Sequence, residues 1–322
     1  MQLITSISKY LVLAVLSCVL FLAWNSNNIN MTYLSLSDTN TSVSESLNSK
    51  PADSIWNSIR RDFKLDHKVQ SSRVQAEIHK LLADQDKLYE ILKAAAPYIY
   101  FIQQQTRARG LPAEIALIPF VESEFNPYDR SHKGATGLWQ LMSGTARELG
   151  VKVRSGYDGR RNVIASTKAA LAYFNDLGNY FKGNWYLAIA AYNCGQGRVD
   201  SEKRRAGSDS YWNLHLPQET KLYVPKLLAV AAIVSDPKKY GVELPPINNQ
   251  PYFTEVKVQK SVDLTKVAKA SGVNVETLHT LNPDYNHGKA SAVKTNTLLV
   301  PIDKASTIKA KLQDNHTTAR SI

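Results

Sequence analysis

Apolar positions recur at steps of three and four along most of this chain. Ile55, Ile59 and Phe63, then Val74, Ile78, Leu81 and Leu82, mark one face of successive helices. Arg109-Gly110-Leu111-Pro112 is a break, with Pro112 suited to the first turn of a new helix. From 113 to 236 the helical pattern continues through Ala-rich runs at Ala165 to Tyr173, Ala188 to Tyr192 and Leu227 to Val234, and strand signals are scarce. Leu244-Pro245-Pro246 ends this block and reads as a linker. The pattern then changes. Val256 and Val258 alternate as in a strand, Leu264, Val267 and Ala268 and then Val275, Leu278 and Leu281 predict two short helices, and Leu298 to Val300 closes with a second strand. Residues 253–302 therefore predict a small βααβ unit after a mainly α body. The tail, 303–322, is expected to be partly disordered.

The amino terminus follows another rule. Leu11 to Trp24 is a fourteen-residue run without a charge, preceded by Lys9 and followed by a polar tract. A spanning helix needs about 20 apolar residues, so 1–24 reads as a signal peptide, or as a membrane anchor if Leu3 to Ile7 joins the run. Cys18 stands in a loose lipoprotein-like context, but six apolar residues follow it, which argues against lipidation. Residues 25–52, rich in Ser, Asn and Thr, read as a flexible polar tether.

Composition adds one temptation and removes it. The 322 residues carry a net charge of +11, which suggests an anionic partner. The excess is thinly spread, and its densest run, Lys203-Arg204-Arg205, is three residues long. A nucleic-acid module concentrates charge on one element, so no nucleic acid is expected; a basic exported protein facing an acidic cell wall fits as well. Two cysteines exclude a disulfide scaffold, and seven histidines show no metal-ligand spacing, so neither metal nor cofactor is expected.

Three windows carry chemistry. In Ile118 to Pro127, Glu122 sits near the end of an apolar helical segment that Asn126-Pro127 stops. Apolar neighbours raise a carboxyl pKa and suit it to proton donation, although taken alone the window is as well a solvated helix end. Glu124, two positions on, points elsewhere and reads as surface. In Ser131 to Met142, small residues allow close backbone approach, while Trp139 and Gln140 offer an apolar face and an amide suited to sugars. In Ala190 to Val199, a helix delivers Tyr192 and Asn193 before a Gly-rich turn; Cys194 beside them reads as a small packing residue rather than a nucleophile.

In order and spacing these windows resemble the lysozyme-like lytic transglycosylases of bacterial murein, particularly the membrane-bound lytic murein transglycosylase D group. Ser54 to Arg60, Arg73 to Glu77, Tyr157 to Val163 and Glu219 to Lys226 resemble its other characteristic stretches, so the likeness covers about 53–302. It implies a helical preface at 53–110, a lysozyme-like catalytic domain at 111–245 and a lysin-motif-like unit at 253–302, the last carried by Leu278-His279-Thr280-Leu281-Asn282-Pro283. It implies Glu122 as catalytic acid, Tyr192 as the tyrosine that hydrogen-bonds it, and Ser131 and Gln140 around the cleaved sugar; Asn193 matches the asparagine beside that tyrosine, and with Trp139 it is expected in substrate binding. The implied reaction cleaves the β-1,4 bond between N-acetylmuramic acid and N-acetylglucosamine and leaves 1,6-anhydro ends. The implied setting is the periplasm, with peptidoglycan strands as partner, the membrane reached through the N-terminal segment, and a monomer. Two alternatives stay open: a hydrolytic lysozyme or chitinase on the same fold, with Asp129 or Asp158 as second carboxylate, and a non-catalytic murein-binding protein.

Overall fold

The structure, a computed structural model, describes residues 53–154, 157–258, 262–285, 289–290 and 297–317. The expectations for 1–24 and 25–52, Cys18 among them, lie outside these residues. Among the described residues no helix is long and apolar enough to cross a membrane.

Among the described residues, ten helices form the main body. Helix α1 (Ile55–Arg61) is capped by the Ser54 hydroxyl, which accepts from the Trp56 amide, and its buried Trp56 donates its indole N–H to the Pro245 carbonyl at 2.7 Å. Helices α2 (Ser72–Leu82), α3 (Gln85–Ala94) and α4 (Ile99–Ala108) follow, each burying one apolar stripe. A 3-10 turn, Ala113–Leu117, runs straight into the short α5 (Ile118–Ser123). Glu114 in that turn is 0% exposed and accepts from the amides of Lys64 and Leu65 at 3.1 and 2.9 Å, so its carboxyl closes the 63–68 loop.

After α6 (Ser143–Glu148) and a two-residue ladder of β1 (Val153–Arg154) with β2 (Tyr157–Asp158) come α7 (Val163–Tyr180), α8 (Trp185–Cys194) and α9 (Gln196–Ala206). Asn162 and Asn184 cap α7 and α8 through their side-chain oxygens. Helix α10 (Gln218–Ser235) is buried from Tyr223 to Val234 except at Lys226, which is why that stretch is apolar on most sides rather than striped. It packs against α2, α8 and α5. One continuous core takes residues from α1 through α10.

The C-terminal unit pairs β3 (Phe253–Lys257) antiparallel with β6 (Thr297–Pro301), with α11 (Leu264–Ser271) and α12 (Val275–Leu281) between them. This is the expected βααβ order, with a second ladder of β4 (Val262–Asp263) on β5 (Lys289–Ala290). The Leu-Asn-Pro signal has a structural reason. Asn282, 2% exposed, donates to the carbonyls of Leu278 and Leu299 and accepts from the Leu299 amide, all at 2.8 Å, so one amide welds α12 to β6. Within the tail expected to be partly disordered, residues Ala305–Thr317 form helix α13, and 318–322 lie outside the described residues. Ile308 and Leu312, four apart, close over the unit's own core.

This unit is docked on the helical body. Tyr98 and Tyr128 donate their hydroxyls to the carbonyls of Thr280 and His279 at 3.0 and 2.8 Å, and Asn162 donates to Asp284 at 2.9 Å. Leu281 and Leu299 belong to the main core, and Phe253 lies 5.5 Å from Phe101, ring centre to ring centre.

Candidate active site

Helix α5 ends abruptly, and that ending aims Glu122. Glu124 and Phe125 take left-handed backbone conformations, with φ of 50° and 58°, at a cost of about 1–2 kcal/mol each. The Phe125 amide turns back to the Pro119 carbonyl at 3.0 Å, and its buried ring anchors the turn. Ser123 donates its hydroxyl to the Leu138 carbonyl at 2.9 Å, tying α5 to the loop that follows. Glu124 faces outward and pairs with Lys87 at 3.1 Å, as expected of a surface residue.

Two cavities, of 910 and 570 Å³, meet at Val121, Glu122, Asp129 and Lys226. The Glu122 residue keeps some exposure to this cleft, while its carboxyl is closely surrounded by packed side chains. Burial pushes its pKa up to about 7; the hydrogen bond from Tyr223 and the Lys226 charge pull the other way, and the Glu219 charge adds to the rise. Tyr223, buried on α10, donates its hydroxyl to Glu122 Oε1 at 2.5 Å.

That hydrogen bond corrects the assignment of Tyr192. The Tyr192 hydroxyl donates instead to the Trp139 carbonyl at 2.7 Å, and its ring stacks on Phe174 at 4.3 Å. A phenol has one proton to give, so Tyr192 fixes the Gly137–Gln140 turn while Tyr223 serves the carboxyl. Tyr192 still lines the larger cavity, and burial first, then the Glu122 charge, push both phenols well above their ordinary pKa and keep them protonated. Sequence reasoning placed Tyr223 only inside a family-like stretch. Nothing local marks it, because its partner lies 101 residues away.

Trp139 needs the second correction. Its side chain is 0% exposed and donates its indole N–H to Thr167 Oγ1 at 2.9 Å, so its ring offers no face to a sugar. It is a core residue whose backbone serves the site. Gln140, Ser131 and Asn193 do line the larger cavity. Gln140 has φ of 44° and donates its amide to the carbonyls of Gly137 and Asp129, leaving the amide oxygen for a ligand. Ser131 Oγ accepts from the Ala135 amide at 3.1 Å and keeps its own proton to donate. Asn193 is shared between Glu219, to which it donates at 3.1 Å, and Thr220, from which it accepts at 2.7 Å. Cys194, half-buried, lines the same cavity, and burial pushes its thiol up, which holds it protonated.

The loop from 131 to 141 is held from behind by Arg160. Its guanidinium donates to the carbonyls of Gly134 and Leu141 at 2.7 and 3.0 Å and to both oxygens of Asp158 at 2.9 and 2.7 Å. Asp158 is thereby committed and lines neither cavity, which removes it as a second carboxylate; Asp129 lines both. Among the described residues no group of three His, Cys, Asp or Glu side chains is placed to hold a metal ion.

A helical body with one deeply set carboxyl facing an elongated cleft defines the lysozyme-like class. Residues 99–215 match the transglycosylase SLT domain, and residues 252–317 match the LysM-like domain of lytic transglycosylase MltD. It is 36% identical over 273 residues to membrane-bound lytic murein transglycosylase D of Escherichia coli K12, a match that covers 84% of this chain and 60% of that relative. A protein of Alteromonas sp. (strain M-1) named for tributyltin chloride resistance is 38% identical over 173 residues, covering 53% of this chain and 82% of that protein. Among solved structures, lytic transglycosylase Slt of Pseudomonas aeruginosa, an inactive mutant, is 31% identical with a TM-score of 0.37, covering 46% of this chain and 25% of the other.

Proposed function

We propose that this protein is a lytic transglycosylase that cleaves peptidoglycan between N-acetylmuramic acid and N-acetylglucosamine in the course of cell-wall remodelling. The observation that carries the reading is Glu122: one carboxyl poised near neutrality, with a dedicated hydrogen-bond donor, where two cavities meet so that a strand can run past it on both sides.

In the first step Glu122 donates its proton to the glycosidic oxygen, and the C1–O bond breaks with its electron pair going to the leaving sugar. The N-acetyl oxygen of the muramic residue stabilises the cation at C1, the substrate-assisted exception to two-carboxylate chemistry. In the second step the Glu122 carboxylate takes the proton of the same sugar's C6 hydroxyl, whose oxygen bonds to C1 and closes the 1,6-anhydro ring. No water is consumed. Ser131, Gln140 and Asn193 hold the sugars, and Tyr192 acts through the backbone it fixes. The C-terminal unit holds further glycan, and the apolar run at 11–24 supports export to the periplasm with membrane attachment by the N-terminal segment.

Mass analysis of muropeptides released by the purified protein tests the reaction class. Muramic ends one water lighter than hydrolysed ends are expected. Full-mass reducing ends would establish hydrolysis instead, with Asp129 as the carboxylate to examine. A second expectation concerns Tyr223→Phe. Losing the donor removes a pull toward the charged form, so the alkaline limb of kcat/KM, set by protonated Glu122, moves upward by about one pH unit. An unmoved limb would detach Tyr223 from the chemistry.

A further inference from the structure

The cations of the cleft divide by their partners. Lys87 is neutralised by Glu124 at 3.1 Å, and Lys133 stands 4.0 Å from Glu219. Arg198 in the larger cavity and Lys226 have no ion-pair partner among the described residues, and of the two only Lys226 lines both cavities, beside Glu122. It lies three residues after Tyr223 on α10, which sets both side chains on the face that meets the carboxyl. The ammonium stands 5.9 Å from the centre of the Phe120 ring on α5, and the residue is half-buried.

A half-buried ammonium without a counter-charge, beside a carboxyl that must be neutral to act, is poised to take an anion from the ligand. Peptidoglycan offers one chemistry at this place, a carboxylate, from two sources: the lactyl group of a stem-free muramic residue, or the stem peptide. We propose that Lys226 is a specificity-determining residue that pairs with a substrate carboxylate at the scissile junction. The proposal rests on the peptidoglycan reading above. It also couples recognition to chemistry. The free Lys226 charge favours ionised Glu122, so a substrate carboxylate that neutralises it returns Glu122 toward its proton-donating form. A strand lacking the charge leaves that restraint in place.

The test measures binding without cleavage, in a Glu122→Gln background, by calorimetry. The ligands are soluble stem-free strands with free lactyl carboxylates, the same strands methyl-esterified, and strands with intact stems. Esterification is expected to weaken binding about tenfold, the scale of one partly desolvated charge pair. Adding Lys226→Met should abolish the difference between acid and ester, while Lys226→Arg should restore it in part; melting temperatures confirm that each variant is folded. Dependence on Lys226 that persists with intact stems assigns the carboxylate to the peptide, and dependence confined to stem-free strands assigns it to the lactyl group. Equal binding of acid and ester, or a tenfold preference surviving in Lys226→Met, overturns the proposal and leaves the peptidoglycan reading standing. No binding of any strand overturns both.

Discussion

Replacing Glu122 with glutamine should abolish cleavage and, at pH 8, make the folded protein more stable. The two effects share one cause. Glutamine cannot give a proton to the glycosidic oxygen or take one from the C6 hydroxyl, and general acid–base participation is worth about 10²–10⁴-fold. Serving both steps, its loss should exceed about 10³-fold. For stability, the folded pKa lies at about 7 against 4.5 for the free group, so the folded state binds the proton more tightly. The stability contributed by that proton is fully present below pH 4.5 and is lost as pH rises toward 7 and above. At pH 8 the wild type carries a poorly solvated charge that glutamine lacks. The shift corresponds to about 3 kcal/mol at most, which the partial opening to the cleft reduces to about 1–2 kcal/mol. For a protein of this size that is a rise of several degrees in Tm. Melting both proteins from pH 4 to 8 checks the sign: the gap should open as pH rises and vanish near pH 4. Near-wild-type cleavage by Glu122→Gln would falsify the assignment of the acid.

Gly137→Ala should be the most damaging single-methyl change near the site. Gly137 has φ of 83°, and a Cβ there would run into the carbonyl oxygen of Arg160, which is backbone and has no rotamer to yield. The left-handed conformation costs about 1–2 kcal/mol for alanine, and the collision adds about 1–3 kcal/mol. The turn moved by this change presents the Trp139 carbonyl to Tyr192 and the Gly137 carbonyl to Gln140, so activity should fall with Tm. Gly134→Ala is the control. Its φ is 86°, and nothing lies within 4 Å of the added methyl, so it carries the conformational cost alone. Similar losses of Tm in the two variants would mean that the loop rebuilds freely around the new methyl group.

Much of this was legible in the chain. The three- and four-residue periodicity reflects one helical face turned to one core, and the switch near residue 253 reflects a unit that closes on its own strands. Glu122 stood out only through the joint order of the three windows and the likeness they carry, because an apolar helix with an abrupt stop, taken alone, reads as a solvated helix end. Trp139 was misread because a sequence shows that an aromatic is present but not which way it points, and this ring is used to fill the core. Tyr192 and Tyr223 lie on different helices, and which hydroxyl reaches Glu122 depends on how α8 and α10 cross α5. The helix at Ala305–Thr317 was missed because two apolar residues four apart are a weak signal until the core they cover is known.

The docking of the C-terminal unit bears on how the protein can be engineered. Cutting at residue 253 would release a unit with a core of its own but would not leave the helical body intact. It would leave the Tyr98 and Tyr128 hydroxyls without their acceptors, strip Leu281 and Leu299 from the main core, and loosen the segment directly after Glu122. A module exchange or truncation in this chain is therefore surgery on the catalytic body. Residues 253–317 are better regarded as its outer wall than as an appended tool.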